Sequence, residues 1–394
     1  MSTPRIAPLP VARWQPGLLD QAGTLTQGGI RATNNVYGTL ANYPSLFLAW
    51  LRLGAHAFRH STLPPRLREI VILRAAGLSQ GRYPCAQHVT IGKACGLSDA
   101  DIAAVFQGPQ AMHWSASSLA QDKRTLFAVD ELIAGGAMND ATWSDLTKTL
   151  NLHQCMDLVA TTGFYRLAAW MLNACRTPLQ DDGIEVDLHQ CIPAAHPTHD
   201  AYQGEVRIQP ISPDEWPRDL LAETARWPRF RNRPETRSAG VYSTFANHPA
   251  LFSAIGALMA HNLDNSSLSA EARELVIVRA CAMARGGYPY RQHIRIGREA
   301  GLSETVLNAA SQLTPQGLTG EAQIIVGLVD SLFETHDIDD NLWAIARSNL
   351  SSPQFMDVIV IAGFYGIISM VLNVAGTRLE EGQATLPEEF LAKE

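Results

Sequence analysis

The chain has 394 residues, 46% of them hydrophobic and 18% charged, which suits two domains better than one oversized core. Its 31 basic and 38 acidic side chains leave a formal charge of −7 with no long basic run, which argues against a surface built to neutralise nucleic-acid phosphates. No apolar run of about 18 residues is read in it, so no membrane span is expected, and the start MSTPRIAPLPVARWQPG lacks the pattern of a secretory signal, so a cytoplasmic protein is expected.

In chain order, the first predicted helix begins at Pro44, with Leu46, Phe47, Trp50, Leu51 and Leu53 on one side. A second follows Pro65 and carries Ile70, Val71, Leu73, Ala75 and Ala76. After a turn at Gly81 to Tyr83, Pro84 suits the first turn of a third helix and Gly96 its C-terminal cap. Ser98 and Asp99 start a fourth, with Asp101 in its first turn, where the helix dipole favours an acid. The segment MDLVATTGFYRLAAWMLNAC, from Met156, is apolar nearly all round and reads as a central buried helix. No alternating strand pattern competes, so the fold class expected is all-α.

The same elements then recur. VYGTLANYPSLF from Val36 aligns with VYSTFANHPALF from Val241, an offset of 205 (241 − 36). At that offset Tyr37 matches Tyr242, His56 matches His261, Glu69 matches Glu274, Arg74 matches Arg279, Tyr83 matches Tyr288, Gln87 matches Gln292 and His88 matches His293. Further on the offset is 200 (330 − 130): Asp130 matches Asp330, Asp157 matches Asp357, GFY at 163–165 matches GFY at 363–365, and Asn173 matches Asn373, so five residues are missing from the second copy after Ser303. An N-terminal arm is duplicated too, RIAPLPVARW from Arg5 against RIQPISPDEW from Arg207. Two tandem domains follow, 1–185 and 204–394, joined by a linker at 186–203.

Chemistry concentrates in one duplicated hairpin. Glu69 lies on the helix before the turn and His88 on the helix after it, so an antiparallel fold lets them approach, although the spacing does not by itself fix a contact. A His close to a helix N-terminus feels the positive end of the dipole and stays neutral, able to accept a proton while Glu69 orients it. His88, Glu69, His293 and Glu274 are the expected acid–base residues. Arg74 and Arg279 are candidates to hold a substrate carboxylate or to pair with the Glu. Tyr37, Tyr83 and Gln87, with Tyr288 and Gln292, are candidates to line the site. His56 and His261 read as satisfied core histidines; His56, Glu69 and His88 have metal-ligand chemistry but no ligand spacing, so neither a metal nor another cofactor is expected. At Asn34-Asn35, Thr161, Thr162 and Arg166 the second copy has Ala239-Gly240, Ile361, Ala362 and Gly366; if these positions line a cavity, the first site is the more polar and retains more of the chemistry.

The pattern L-R-E-x-V-I-x-R-A, then G-x-Y-P-x-x-Q-H, then I-G-x-x-x-G-L-S resembles the carboxymuconolactone decarboxylase and alkylhydroperoxidase D superfamily over most of both halves. The resemblance implies two tandem alkylhydroperoxidase D-like helical domains and a homo-oligomer, a trimer or dimer of tandem chains. The alkylhydroperoxidase branch uses a Cys-x-x-Cys pair, whose positions fall here on Gly81 and Pro84, and on Gly286 and Pro289. The six cysteines, at 85, 95, 155, 175, 191 and 281, form no such pair, so thiol peroxidase chemistry is disfavoured. The decarboxylase branch has Tyr-Glu-Trp before its His, where this chain reads Tyr83-Pro84-Cys85 and Tyr288-Pro289-Tyr290. The function expected is a cofactor-independent, decarboxylase-like lyase acting through His and Glu on a small carboxylated or oxygenated carbonyl compound, in aromatic catabolism or secondary metabolism. An isomerase or ring-opening hydrolase with the same residues, and a non-catalytic ligand-binding or assembly protein, stay open.

Overall fold

Proline and short polar side chains start most of the helices, as their missing or capped N–H groups require. In a computed structural model, which describes residues 3–27, 30–180, 184–191, 194, 205–378 and 386–391, the first copy runs α1 (Leu18–Leu25), α2 (Asn35–Leu40), α3 (Pro44–Ala55), α4 (Pro65–Leu78), α5 (Arg82–Ala94), α6 (Asp99–Gln107), α7 (Ala120–Gly135), α8 (Asp140–Thr147) and α9 (Leu152–Ala174). The second runs α10 (Arg218–Thr224), α11 (Pro228–Asn232), α12 (Gly240–Phe245), α13 (Pro249–Ala260), α14 (Ala270–Met283), α15 (Gly287–Ala300), α16 (Glu304–Ala310), α17 (Gly320–Thr335), α18 (Asp340–Asn349) and α19 (Ser352–Ala375). No strand occurs among the described residues, and the all-α fold in two copies is as the sequence implied. The five missing residues fall between matching helix starts: 99–119 separates the start of α6 from α7, and 304–319 separates the start of α16 from α17.

Within each copy a helix buried nearly all round, α4 or α14, packs against the long central helix, α9 or α19. The central helix of the second copy corrects one expectation. Ser352–Ala375 is long and apolar enough to cross a membrane, and 94% of its most apolar window is buried in the fold. Its apolar surface is spent on the core and on α9.

The copies embrace reciprocally. The helices α9 and α19 pack closely because a Cβ on Gly163 would stand 2.7 Å from Ile367 and one on Gly363 would stand 2.5 Å from Leu167. The N-terminal arms do the same. Arg5 and Ile6 donate backbone N–H groups to Cys175 O at the end of α9, while the Arg5 guanidinium covers Trp343 and pairs with Asp340 of the other copy. Arg207 and Ile208 bond Ala375 O at the end of α19, and Arg207 covers Trp143 and pairs with Asp140. Asn173 Nδ2 reaches His336 O, and Asn373 Nδ2 reaches Gly136 O. Contacts exchanged in this way are the signature of a two-fold, self-complementary interface, here contained in one chain.

The described part of the 186–203 segment lies on the first copy: Leu188 and Cys191 are buried, and Ala194 N donates to Asp130 Oδ2 at 2.8 Å. Residues 195–203 lie outside the described residues.

Candidate active site

The hairpin α4–α5 sets the register of the acid–base pair. Gln80 takes a left-handed conformation (φ 53°) and Gly81 N donates to Ala76 O at 2.8 Å, which reverses the chain. A Cβ at Gly81 would meet Ala169 of α9 at 2.7 Å, so glycine lets the turn sit on the central helix. Arg285 and Gly286 repeat the turn in the second copy. Glu69 and His88 then face each other across the hairpin, with His88 Nδ1 2.7 Å from Glu69 Oε2; Glu274 and His293 do the same at 2.6 Å. All four side chains are buried. Each Glu receives a second ion-pair partner on its other oxygen, Arg68 at 3.0 Å and Arg273 at 3.1 Å.

One expectation about these histidines is corrected. His88 and His293 are each the seventh residue of their helices, beyond the first turn in which the dipole acts. It is the carboxylate, holding Nδ1, that fixes the tautomer. With a carboxylate oxygen on Nδ1, that nitrogen carries the hydrogen and Nε2 is left free to accept one.

No sequence spacing marks what lies at Nε2. The Tyr165 hydroxyl is 3.0 Å from His88 Nε2, and its ring packs edge-on against the imidazole at 4.9 Å, with Phe58 edge-on at 5.5 Å. Burial, then Glu69 and Tyr37, push the Tyr165 phenol well above its usual range, so it stays protonated. Tyr365 packs against His293 in the same way at 4.8 Å, but no hydrogen bond joins its hydroxyl to the imidazole. The signal available was the repeated GFY. For Glu274, burial raises the pKa, but His293 and Arg273 outweigh it and the carboxyl lies below its ordinary value.

The remaining candidates separate. Arg74 and Arg279 do not join the Glu–His pairs, which is a correction. Arg74 forms a two-pronged ion pair with Asp130 at 2.6 and 2.7 Å and bonds Val105 O and Phe106 O, with no exposed surface; Arg279 pairs with Asp330 and bonds Ala310 O and Gln312 O. Five residues separate each Arg from its Glu, about 140° around a helix, so the two point apart. Tyr83 and Gln87 are tied together through Gln180, whose Nε2 donates to the Tyr83 hydroxyl at 2.8 Å and whose Oε1 accepts from Gln87 at 2.9 Å. Tyr37 is half-buried and packs on Phe47. Tyr288 is buried on α15, and Gln292 is half-buried beside His293. Cys85 is wholly buried, and burial pushes its thiol well up, as an inert structural cysteine requires.

Three of the divergent positions, Asn35, Thr162 and Arg166, are engaged in packing and hydrogen bonds within the fold. Thr162 Oγ1 donates to Leu158 O within α9, and Asn35 bonds Pro178 O. Arg166 lies over Trp170 and over Phe333 of the second copy, in space that Gly366 leaves open.

His56 and His261 belong to a separate network. His56 Nε2 lies 2.7 Å from Asp157 Oδ1 and His261 Nε2 lies 2.9 Å from Asp357 Oδ1, and no described hydrogen bond joins either histidine to Glu69 or Glu274. A cavity of about 420 Å³ opens between α1, α3 and α13, lined by Arg52, His261 and Asn265; neither His88 nor His293 lines it.

The chain matches the Carboxymuconolactone decarboxylase family over residues 44–121 and again over 249–322, so each match spans its copy's whole α3–α5 region or the equivalent, with Glu69 and His88 in the first and Glu274 and His293 in the second. No curated protein matches the chain.

Proposed function

From two carboxymuconolactone decarboxylase family domains in one chain, we propose that the protein is a cofactor-independent acid–base catalyst, a decarboxylase-like lyase acting on a small carboxylated carbonyl compound. The observation that carries this is the continuous chain Glu69–His88–Tyr165, at 2.7 and 3.0 Å. When the bond to a departing carboxylate breaks, its electron pair moves into the conjugated carbonyl and a carbon must then be protonated. Imidazolium His88, its charge held by Glu69, gives the Nε2 proton to Tyr165 as Tyr165 passes its own to that carbon. Because the phenol is held protonated by burial and Glu69, it hands on a proton only while receiving one. The same relay runs backward when a proton is removed.

The reading includes a cytoplasmic homo-oligomer with a role in aromatic breakdown, and light scattering of the purified chain measures the assembly. The activity is tested by incubating the chain with a panel of unsaturated carboxylactones and β-keto acids and measuring carbon dioxide release. His88→Ala is expected to lower the rate about 10²–10⁴-fold. Solvent deuterium entering a substrate without carbon dioxide release would assign the relay to isomerisation. Turnover unchanged in the double variant lacking both histidines would remove the catalytic reading.

A further inference from the structure

The copies exchange one more pair of side chains, and here they differ chemically. The residue before the first proline of α3 or α13 reaches across to the His–Asp pair of the other copy: Tyr43 to His261 and Asp357, and His248 to His56 and Asp157. The rings occupy equivalent places, Tyr43 edge-on to His261 at 5.2 Å and His248 edge-on to His56 at 5.5 Å. Tyr43 is satisfied there, donating to Asp357 Oδ2 at 3.2 Å. His248 is not. It is buried to 2% exposure, its Nε2 lies 3.1 Å from Asp157 Oδ1, and neither ring nitrogen makes a hydrogen bond.

Two imidazole nitrogens and one carboxylate oxygen thus converge within 4.8 Å of one another. We propose that His56 Nε2, His248 Nε2 and Asp157 Oδ1 bind a divalent transition metal of the zinc class, which pins the two copies together. The ligand types are those zinc takes, and bonds of about 2.0–2.1 Å in a tetrahedron place ligand atoms about 3.3 Å apart. The observed 2.7 and 3.1 Å to Asp157 Oδ1 need open by about 0.6 and about 0.2 Å. The carboxylate is already oriented for it. Its other oxygen, Oδ2, accepts from Thr62 N at 2.6 Å and Thr62 Oγ1 at 2.8 Å, which turns Oδ1 toward the two rings as an outer-shell partner does. His56 is the first residue of a π-helical turn at the end of α3, a distortion common where a helix aims a functional side chain. The outer wall is exposed His153, stacked on His248 at 4.3 Å, so solvent lies one ring away and water completes the coordination. Because the ligands come from α3, α9 and the approach to α13, no short sequence spacing announces them.

The test uses the full chain, freed of metal with a chelator and titrated with Co²⁺ as the probe. Wild type is expected to take up about one Co²⁺ per chain with visible d–d absorption, and Zn²⁺ to displace it and raise the melting temperature by mass action. His248→Tyr installs the side chain that the second copy already accommodates, so the variant should fold, as circular dichroism checks, while its Co²⁺ affinity falls at least about 100-fold. Tyr43→His is expected to add a second bound ion at His261 and Asp357. Absence of stoichiometric Co²⁺ binding by wild type overturns the proposal, and so does equal binding by folded His248→Tyr, which would place the metal elsewhere.

Discussion

In the first copy the His88 imidazole has a carboxylate on one nitrogen, a phenol hydroxyl on the other and the Phe58 ring against its face. In the second copy His293 keeps the carboxylate and the edge-on Tyr365 ring, but the hydroxyl makes no bond to it, and Leu263 stands at the position of Phe58 (263 − 58 = 205). The scaffold contacts are exchanged in both directions; those around the histidine are not. The two copies therefore share what folds the chain and differ in what surrounds one of the two buried histidines. The first copy carries the continuous hydrogen-bonded chain Glu69–His88–Tyr165 on which the proposed relay rests.

The same contrast appears in the buried ion pairs, and there the largest stability effect is expected. Asp130 has no exposure and takes both prongs of Arg74 plus Ala194 N, whereas the Asp330 side chain is 19% exposed and meets Arg279 through one oxygen. Asp130→Asn leaves a buried guanidinium without its counter-charge, and chemical denaturation should show a loss of about 3–5 kcal/mol. Asp330→Asn should cost measurably less. Equal losses would break the comparison.

A second asymmetry lies at the ends of α7 and α17, where Gly136 (φ 69°) and His336 (φ 61°) take the same left-handed conformation. His336 accepts at Nδ1 from Trp170 Nε1 at 3.0 Å; burial, then the nearby Arg166 charge, push its pKa from 6.5 down to about 4. As pH falls through 6.5 the unfolded chain takes up the proton first, so this stabilisation is complete above that pH and is lost progressively down to about 4. The loss should approach about 3 kcal/mol at full expression, read as a falling melting temperature. His336→Gly, which copies the first repeat, should remove that part of the slope.

The crossing of α9 and α19 is expected to respond equally from either side. Gly163→Val and Gly363→Val each force a side chain into the opposite helix and should cost about 1–3 kcal/mol or more. Markedly unequal losses would show that the interface is less reciprocal than its contacts. The smallest effect on stability belongs to Tyr165→Phe, which keeps the ring packing; because it deletes the hydroxyl that hands on the proton, turnover should fall about 10²–10⁴-fold, while Tyr365→Phe should leave it nearly unchanged.

The duplication, the hairpin and its Glu–His pair were legible because a constant offset and a turn between two amphipathic segments place residues without knowledge of packing. Arg74 was misplaced for the opposite reason. On a helix buried nearly all round, composition does not distinguish the face toward α5 from the face toward α7, and only the 140° between positions 69 and 74 separates them. Tyr165 stood in plain view within a repeated GFY, yet its contact with His88 spans 77 residues and depends on how α9 crosses the hairpin. His248 was hidden more deeply, since its partners belong to the other copy. A sequence read one domain at a time holds no information on that exchange.

The claim that the first copy carries the working relay is tested most directly by measuring turnover of His88→Ala and His293→Ala separately on one substrate, with folding checked in both. The account predicts that His88→Ala loses at least about tenfold more activity than His293→Ala. Equal losses, or a larger loss from His293→Ala, would contradict it.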